Sequence, residues 1–75
     1  MDKISSVLIE VLKVSEEDTV KDLKMDDVDN WDSLTHMNLI VSLEDVLKLE
    51  LSGDEIAEMI SFNEIRKIIS NHIEA

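Results

Sequence analysis

The chain has no cysteine, no proline and no tyrosine, and only one glycine, one tryptophan and one phenylalanine among 75 residues. Without cysteine, neither a disulfide nor a thiolate metal site can stabilise it. Without proline, and with Gly53 alone, capping residues and connection lengths must punctuate the elements. No apolar run approaches the roughly 20 residues that a membrane-crossing helix needs. The start, Met1-Asp2-Lys3-Ile4, lacks the basic and apolar regions of a signal peptide. These absences lead to the expectation of a cytoplasmic, monomeric protein. A chain this short forms a single domain over residues 1–75 and buries only about 60 % of its unfolded surface. That leaves room for one modest core and little for a deep catalytic cavity, so an enzyme is not expected.

Positive charge is also scarce, and unevenly so. The formal net charge is −11. Residues 26–58 contain ten acids against Lys48 alone, a net of −9, whereas residues 1–25 sum to −2 and residues 59–75 to zero. Part of this is a solvated surface. Its concentration in one segment suits encounter with basic partners and disfavours nucleic acid and anionic membranes.

Helical periodicity dominates what remains. Ile4, Val7, Leu8, Val11 and Leu12 mark a first helix from about Lys3 to Lys13. From Val14 to Trp31 no period is sustained, and a connection of this length in a small domain is often functional. Val20, Leu23, Met25 and Val28 are expected to pin it to the core. A second helix is predicted from Ser33 to about Leu47 with Asp32 as N-cap. Ser52-Gly53-Asp54-Glu55 reads as a capping box opening a short helix, with Ile56, Met59 and Ile60 inward. Ser61-Phe62-Asn63-Glu64 repeats the signature before a last helix that carries Phe62, Ile65, Ile68, Ile69 and Ile73 on one face. The expected fold is all-α: three longer helices and one short one, with a long loop between the first two.

At 100° per residue the second helix has two apolar stripes. Leu39, Ile40, Leu43, Val46 and Leu47 form the core stripe. Leu34, Met37 and Val41 lie nearly opposite, beside Asn38 and Asp45 and with Glu44 at their edge. Either the long loop covers this second stripe, or it is a docking face of a few apolar contacts ringed by acids. Methionine suits such a face because its side chain adapts to several partners.

Other chemistries fit poorly. His36 and His72 are too far apart for a local ligand pair, and His36 falls on the core side of its helix by phase. His72 near a C-terminus favours the helix dipole. Trp31 reads as a lid over loop and core. An EF-hand register through Asp27 and Asp29 places Trp31 at position 5, Asp32 where glycine is required and Asn38 at position 12, so no dedicated metal site is expected. No phosphate-cradling glycine loop is present, and Ser33 has no local base to make it a hydrolytic nucleophile.

Ser33 itself could serve as a cap. Asp32 already supplies a capping carboxylate, however, and a helix N-terminus favours an attached phosphate. Asp32-Ser33-Leu34 resembles the Asp-Ser-Leu attachment motif of acyl carrier proteins, whose serine bears 4′-phosphopantetheine. Leu39-Ile40-Val41-Ser42-Leu43-Glu44-Asp45 is similar to the family's apolar run ending in two acids. Leu49-Glu50-Leu51-Ser52-Gly53-Asp54-Glu55-Ile56 is similar to the segment leading into its short third helix.

The resemblance spans essentially the whole chain and implies an acyl-carrier-like four-helix bundle. It further implies that a phosphopantetheinyl transferase, with Mg²⁺ assisting, moves the arm from coenzyme A onto Ser33, flanked by Asp32 and Leu34. The arm's thiol then carries acyl groups as thioesters between loading, transfer or condensing enzymes with basic patches. These would dock on Leu34, Met37, Asn38, Val41, Glu44, Asp45 and Ile56. Two departures stand out. Asn30 and Trp31 occupy a region where the family often has glycine, and Thr35 and Asn38 replace acids common in fatty-acid-synthesis carriers. The second directs the expectation to a dedicated lipid, polyketide or cell-surface pathway. The competing reading is a small acidic interaction module in which Ser33 is only a helix cap.

Overall fold

The computed structural model describes residues 3–74, the side chain of Glu74 excepted. The first apolar stripe winds into helix α1, Lys3–Leu12, with Val7, Leu8 and Leu12 buried. It stops where Lys13 turns left-handed (φ 59°) and donates its N–H back to the Ile9 carbonyl. The Asn30 side-chain amide donates to the Leu12 carbonyl at 3.3 Å, satisfying one of the orphan acceptors at the helix end.

The long connection contains two single turns of 3₁₀ helix, Glu17–Val20 and Met25–Asp27. Ser15 and Asp18 exchange backbone-to-side-chain hydrogen bonds, and Lys21 pairs with Asp18 at 3.3 Å. Val28 is buried, with Leu23 and Met25 packed against the core as expected. Val20 is not: it is 85 % exposed. The tight turn places Thr19 inward instead, its hydroxyl donating to the Glu16 carbonyl and its carbonyl accepting from Arg66 Nη2 at 2.7 Å. Val20 therefore faces out. Arg66 also donates to Ser5 Oγ, joining α1, the connection and the last helix.

Helix α2 spans Ser33–Leu47, as predicted, and buries Leu39, Ile40 and Leu43 against α1. It ends on left-handed Lys48 (φ 57°). Val46, expected in the core, is 38 % exposed in the last turn of α2, where its neighbour Leu47 packs against the core instead.

Helix α3 is the short Gly53–Glu58 segment, opened by a reciprocal capping box: Ser52 Oγ accepts from the Glu55 N–H and Glu55 Oε1 from the Ser52 N–H. Ile56 packs partly against the core and Met59 is fully buried. Ile60, expected inward, is half exposed. The helix stops before Met59, and the chain enters an antiparallel bridge between Lys24 and Ser61. The Met25 N–H donates to Ile60 O and the Phe62 N–H to Leu23 O. Alternation replaces helical phase here, so Met59 and Ser61 face in and Ile60 faces out.

Helix α4, Phe62–Glu74, buries Phe62, Ile65, Ile68 and Ile69. Its first turn is capped by Ser61 Oγ, which accepts from Glu64, and by Asp22 Oδ1, which accepts from Asn63. Ile73 is exposed rather than buried: it lies in the last turn of α4, past Ile69, the last buried residue among those described in that helix. Trp31 is a core residue and not a lid. It is buried, with its ring 5.7 Å from that of Phe62. The fold is all-α, with four helices and no strand among the described residues, none of whose helices is long and apolar enough to cross a membrane.

Candidate functional site

The long connection delivers the chain to α2 through Trp31 and Asp32. Asp32 is the N-cap, with extended backbone and Oδ1 accepting from the Thr35 N–H at 2.8 Å; its carbonyl accepts from the His36 N–H. Hydrogen bonding from Thr35, first through its backbone and then its side chain, holds the Asp32 carboxyl below the usual carboxylate range. Ser33 is the first helical residue. It is exposed, and its hydroxyl has no hydrogen-bond partner among the described residues. Capping is thus done by Asp32, leaving the Ser33 hydroxyl uncommitted at the positive end of a 15-residue helix.

Behind Ser33 lies a buried polar chain. Trp31 Nε1–H donates to His36 Nδ1 at 2.9 Å. Indole nitrogen is only a donor, so Nδ1 must be the acceptor and the proton sits on Nε2. Nε2 lies 2.9 Å from the Ile56 carbonyl at the end of α3, to which it donates. His36 is accordingly a satisfied core histidine. The Trp31-x4-His36 spacing across a cap was visible in the sequence, but the carbonyl partner 20 residues away was not.

In front, the second stripe of α2 is open. Leu34, Met37 and Val41 are 74 %, 47 % and 59 % exposed, so the long connection does not cover them. Asn38 and Asp45 are exposed beside them. Glu44 is engaged elsewhere: it is half-buried, and Oε2 accepts from the Leu51 N–H at 2.9 Å, fastening the turn between α2 and α3. Ile56 is partly buried against the core and reaches the site through its backbone carbonyl. The structure therefore gathers Asp32, Ser33 and Leu34 at the head of α2, with Met37, Asn38, Val41 and Asp45 continuing along it.

His72 occupies the last turn of α4, where it also pairs with Glu55 Oε2 at 2.7 Å. The Ser52 N–H chiefly, with His72 second among the favourable contacts, holds the Glu55 carboxyl below its ordinary range. Sequence reasoning missed this link between α3 and α4, and no local spacing announces it.

Comparison with protein-family models, with curated proteins and with solved structures yields no match to this chain.

Proposed function

We propose that the chain is an acyl-carrier-like protein whose Ser33 carries a covalent 4′-phosphopantetheine arm. It shuttles thioester-bound acyl intermediates between the enzymes of a dedicated lipid, polyketide or cell-surface pathway. One observation carries the reading. The serine of Asp32-Ser33-Leu34 is exposed at the head of α2 with its hydroxyl unused, because Asp32 makes the cap.

The residues present fit such a group. The open surface around Ser33 leaves its hydroxyl accessible to a transferase, and the helix dipole favours a phosphodiester at that position. When attached, the arm supplies a terminal thiol, which this cysteine-free chain lacks. Leu34, Met37 and Val41 offer apolar contacts to the transferase and then to acyl-handling enzymes, while Asn38 and Asp45 edge that surface. An apolar notch rimmed with Arg or Lys complements it.

Incubation with coenzyme A, Mg²⁺ and a broad-specificity phosphopantetheinyl transferase tests the reading by intact-mass spectrometry. The expected result is a gain of one phosphopantetheinyl group, absent in Ser33→Ala. That variant should keep its stability within about 0.5 kcal/mol, as for a surface residue without a capping role. An unchanged wild-type mass would leave the α2 stripe as the surface of an interaction module and overturn the carrier reading.

A further inference from the structure

We infer that His36 is a positioning residue for Ser33. Through Trp31 and the Ile56 carbonyl it locks the first turn of α2 to the end of α3, and so sets the direction in which the Ser33 hydroxyl leaves the surface. The use made of Ser33 rests on the carrier reading; the coupling of the two helix ends does not.

The chain of bonds has only one consistent direction. Trp31 can only donate, so His36 Nδ1 accepts and Nε2–H must find an acceptor. The acceptor is the Ile56 carbonyl in the last turn of α3, which also accepts the Met59 N–H at 3.3 Å and has a second lone pair for His36. His36 thereby caps the C-terminal end of α3 while belonging to the N-terminal turn of α2.

Ser33 lies inside the loop these bonds close. Trp31 precedes it by two residues and His36 follows by three; Asp32 between them is bonded to both Thr35 and His36. Its backbone is therefore clamped from both sides although its side chain is free.

α3 gains most from the same bond. It is six residues long and has no buried residue of its own. An isolated helix of that length is not stable in water, so it depends on such attachments to stay in place.

An apolar side chain at position 36 could fill the same interior without needing two partners. A fully satisfied buried polar chain instead selects one arrangement of the groups it joins. Among the described residues no buried side-chain nitrogen or oxygen lacks a partner, so this chain is complete.

The test compares wild type, Trp31→Phe, His36→Leu and His36→Gln. Loading kinetics with coenzyme A and the transferase are measured at a temperature where circular dichroism shows every variant folded. Amide hydrogen exchange is followed in parallel. His36→Leu should lower kcat for loading about tenfold with KM nearly unchanged, because misdirection of a reacting group acts on the chemical step. His36→Gln, which keeps an N–H able to reach Ile56, should recover most of that loss. Exchange should quicken together at residues 33–36 and 56–60 in Trp31→Phe and His36→Leu. A folded His36→Leu loaded at the wild-type rate would overturn the positioning role, and so would faster exchange confined to one of the two segments. Failure of wild type itself to load would overturn the carrier reading alone, and the exchange data would then decide the coupling by themselves.

Discussion

Glu44 and Asp45 are adjacent acids with different work, and the difference lies in single hydrogen bonds. Glu44 Oε2 accepts the Leu51 N–H, whereas Asp45 stands exposed beside the apolar stripe. Charge reversal should separate them. Asp45→Lys should slow association with a basic-patched partner several-fold while leaving the melting temperature within about 2 °C, because exposed charges act mainly on the encounter rate. Glu44→Lys should slow association and also melt earlier, since the Leu51 N–H loses its acceptor. Stopped-flow association rates with the phosphopantetheinyl transferase, set against thermal melts, measure both. An Asp45→Lys variant that loses stability as much as it loses association rate would remove Asp45 from the docking surface. The same contrast holds at the head of α2, where Asp32 makes the cap and Ser33 does not, though either residue type could have served.

Helix ends show a misplacement of conformational freedom that can be tested directly. The only glycine, Gly53, opens α3 in an ordinary conformation, and a Cβ added there would meet nothing within 4 Å. The two left-handed positions that glycine would relieve, Lys13 and Lys48, end α1 and α2 instead. Left-handed backbone costs a non-glycine residue about 1–2 kcal/mol, part of which glycine gives back through its looser unfolded state. Lys13→Gly and Lys48→Gly should each therefore stabilise by about 0.5–1 kcal/mol. Gly53→Ala should add roughly 0.5 kcal/mol. Urea unfolding checks all three, and a loss of stability in Lys13→Gly would mean that its side chain contributes something the backbone argument omits. Elements whose determinants are local were legible in the residues. α2 began and ended where the Asp32 cap and the 3.6 period placed it, and the Ser52–Glu55 box formed. Val20 is apolar in a stretch without a period, so nothing in the sequence showed that a 3₁₀ turn would face Thr19 inward in its place; at Ile60 an extended bridge replaces the helical period that assigned it an inward face. At the site, phase sets Leu34, Met37 and Val41 apart from the core stripe but does not decide whether the long connection covers them, and Ser33 stands out only through the Asp32 cap and the Asp32-Ser33-Leu34 motif. The carbonyl behind His36 and the tie from Glu44 to Leu51 were not legible, since each joins a side chain to a backbone group that periodicity does not describe.

At the scale of the whole molecule the dominant fact is a charge of −11 on a body 31 × 26 × 19 Å across. At 10 mM ionic strength the Debye length is about 30 Å, so every carboxylate repels every other across the full width of the protein. At 1 M it is about 3 Å and only groups in contact still interact. Salt should therefore stabilise the fold, raising the melting temperature by several degrees between these limits, because acids far outnumber bases and attractive contacts such as that of Lys21 with Asp18, or of a protonated His72 with Glu55, are the smaller part of what is screened. The acid limb then depends on salt in a definite way. Asp18, Asp32 and Glu55 all have carboxyls below their ordinary range, held there first by Lys21, by the Thr35 N–H and by the Ser52 N–H respectively. A carboxyl depressed in the folded state binds its proton more readily when unfolded. Its contribution is therefore present above the unfolded value and is lost as pH falls through the folded one. Protonation of the other acids acts oppositely over the same range by relieving repulsion. In 1 M NaCl that relief has already been supplied, whereas the backbone hydrogen bonds to Asp32 and Glu55 persist. Stability should then fall steadily as pH drops below about 5. In 10 mM salt it should first level or rise as repulsion is relieved, and fall only at lower pH. Thermal melts across pH at the two salt concentrations decide the matter. Parallel curves would mean that repulsion contributes little, and that the acidic segment matters for encounter with partners far more than for the stability of the fold.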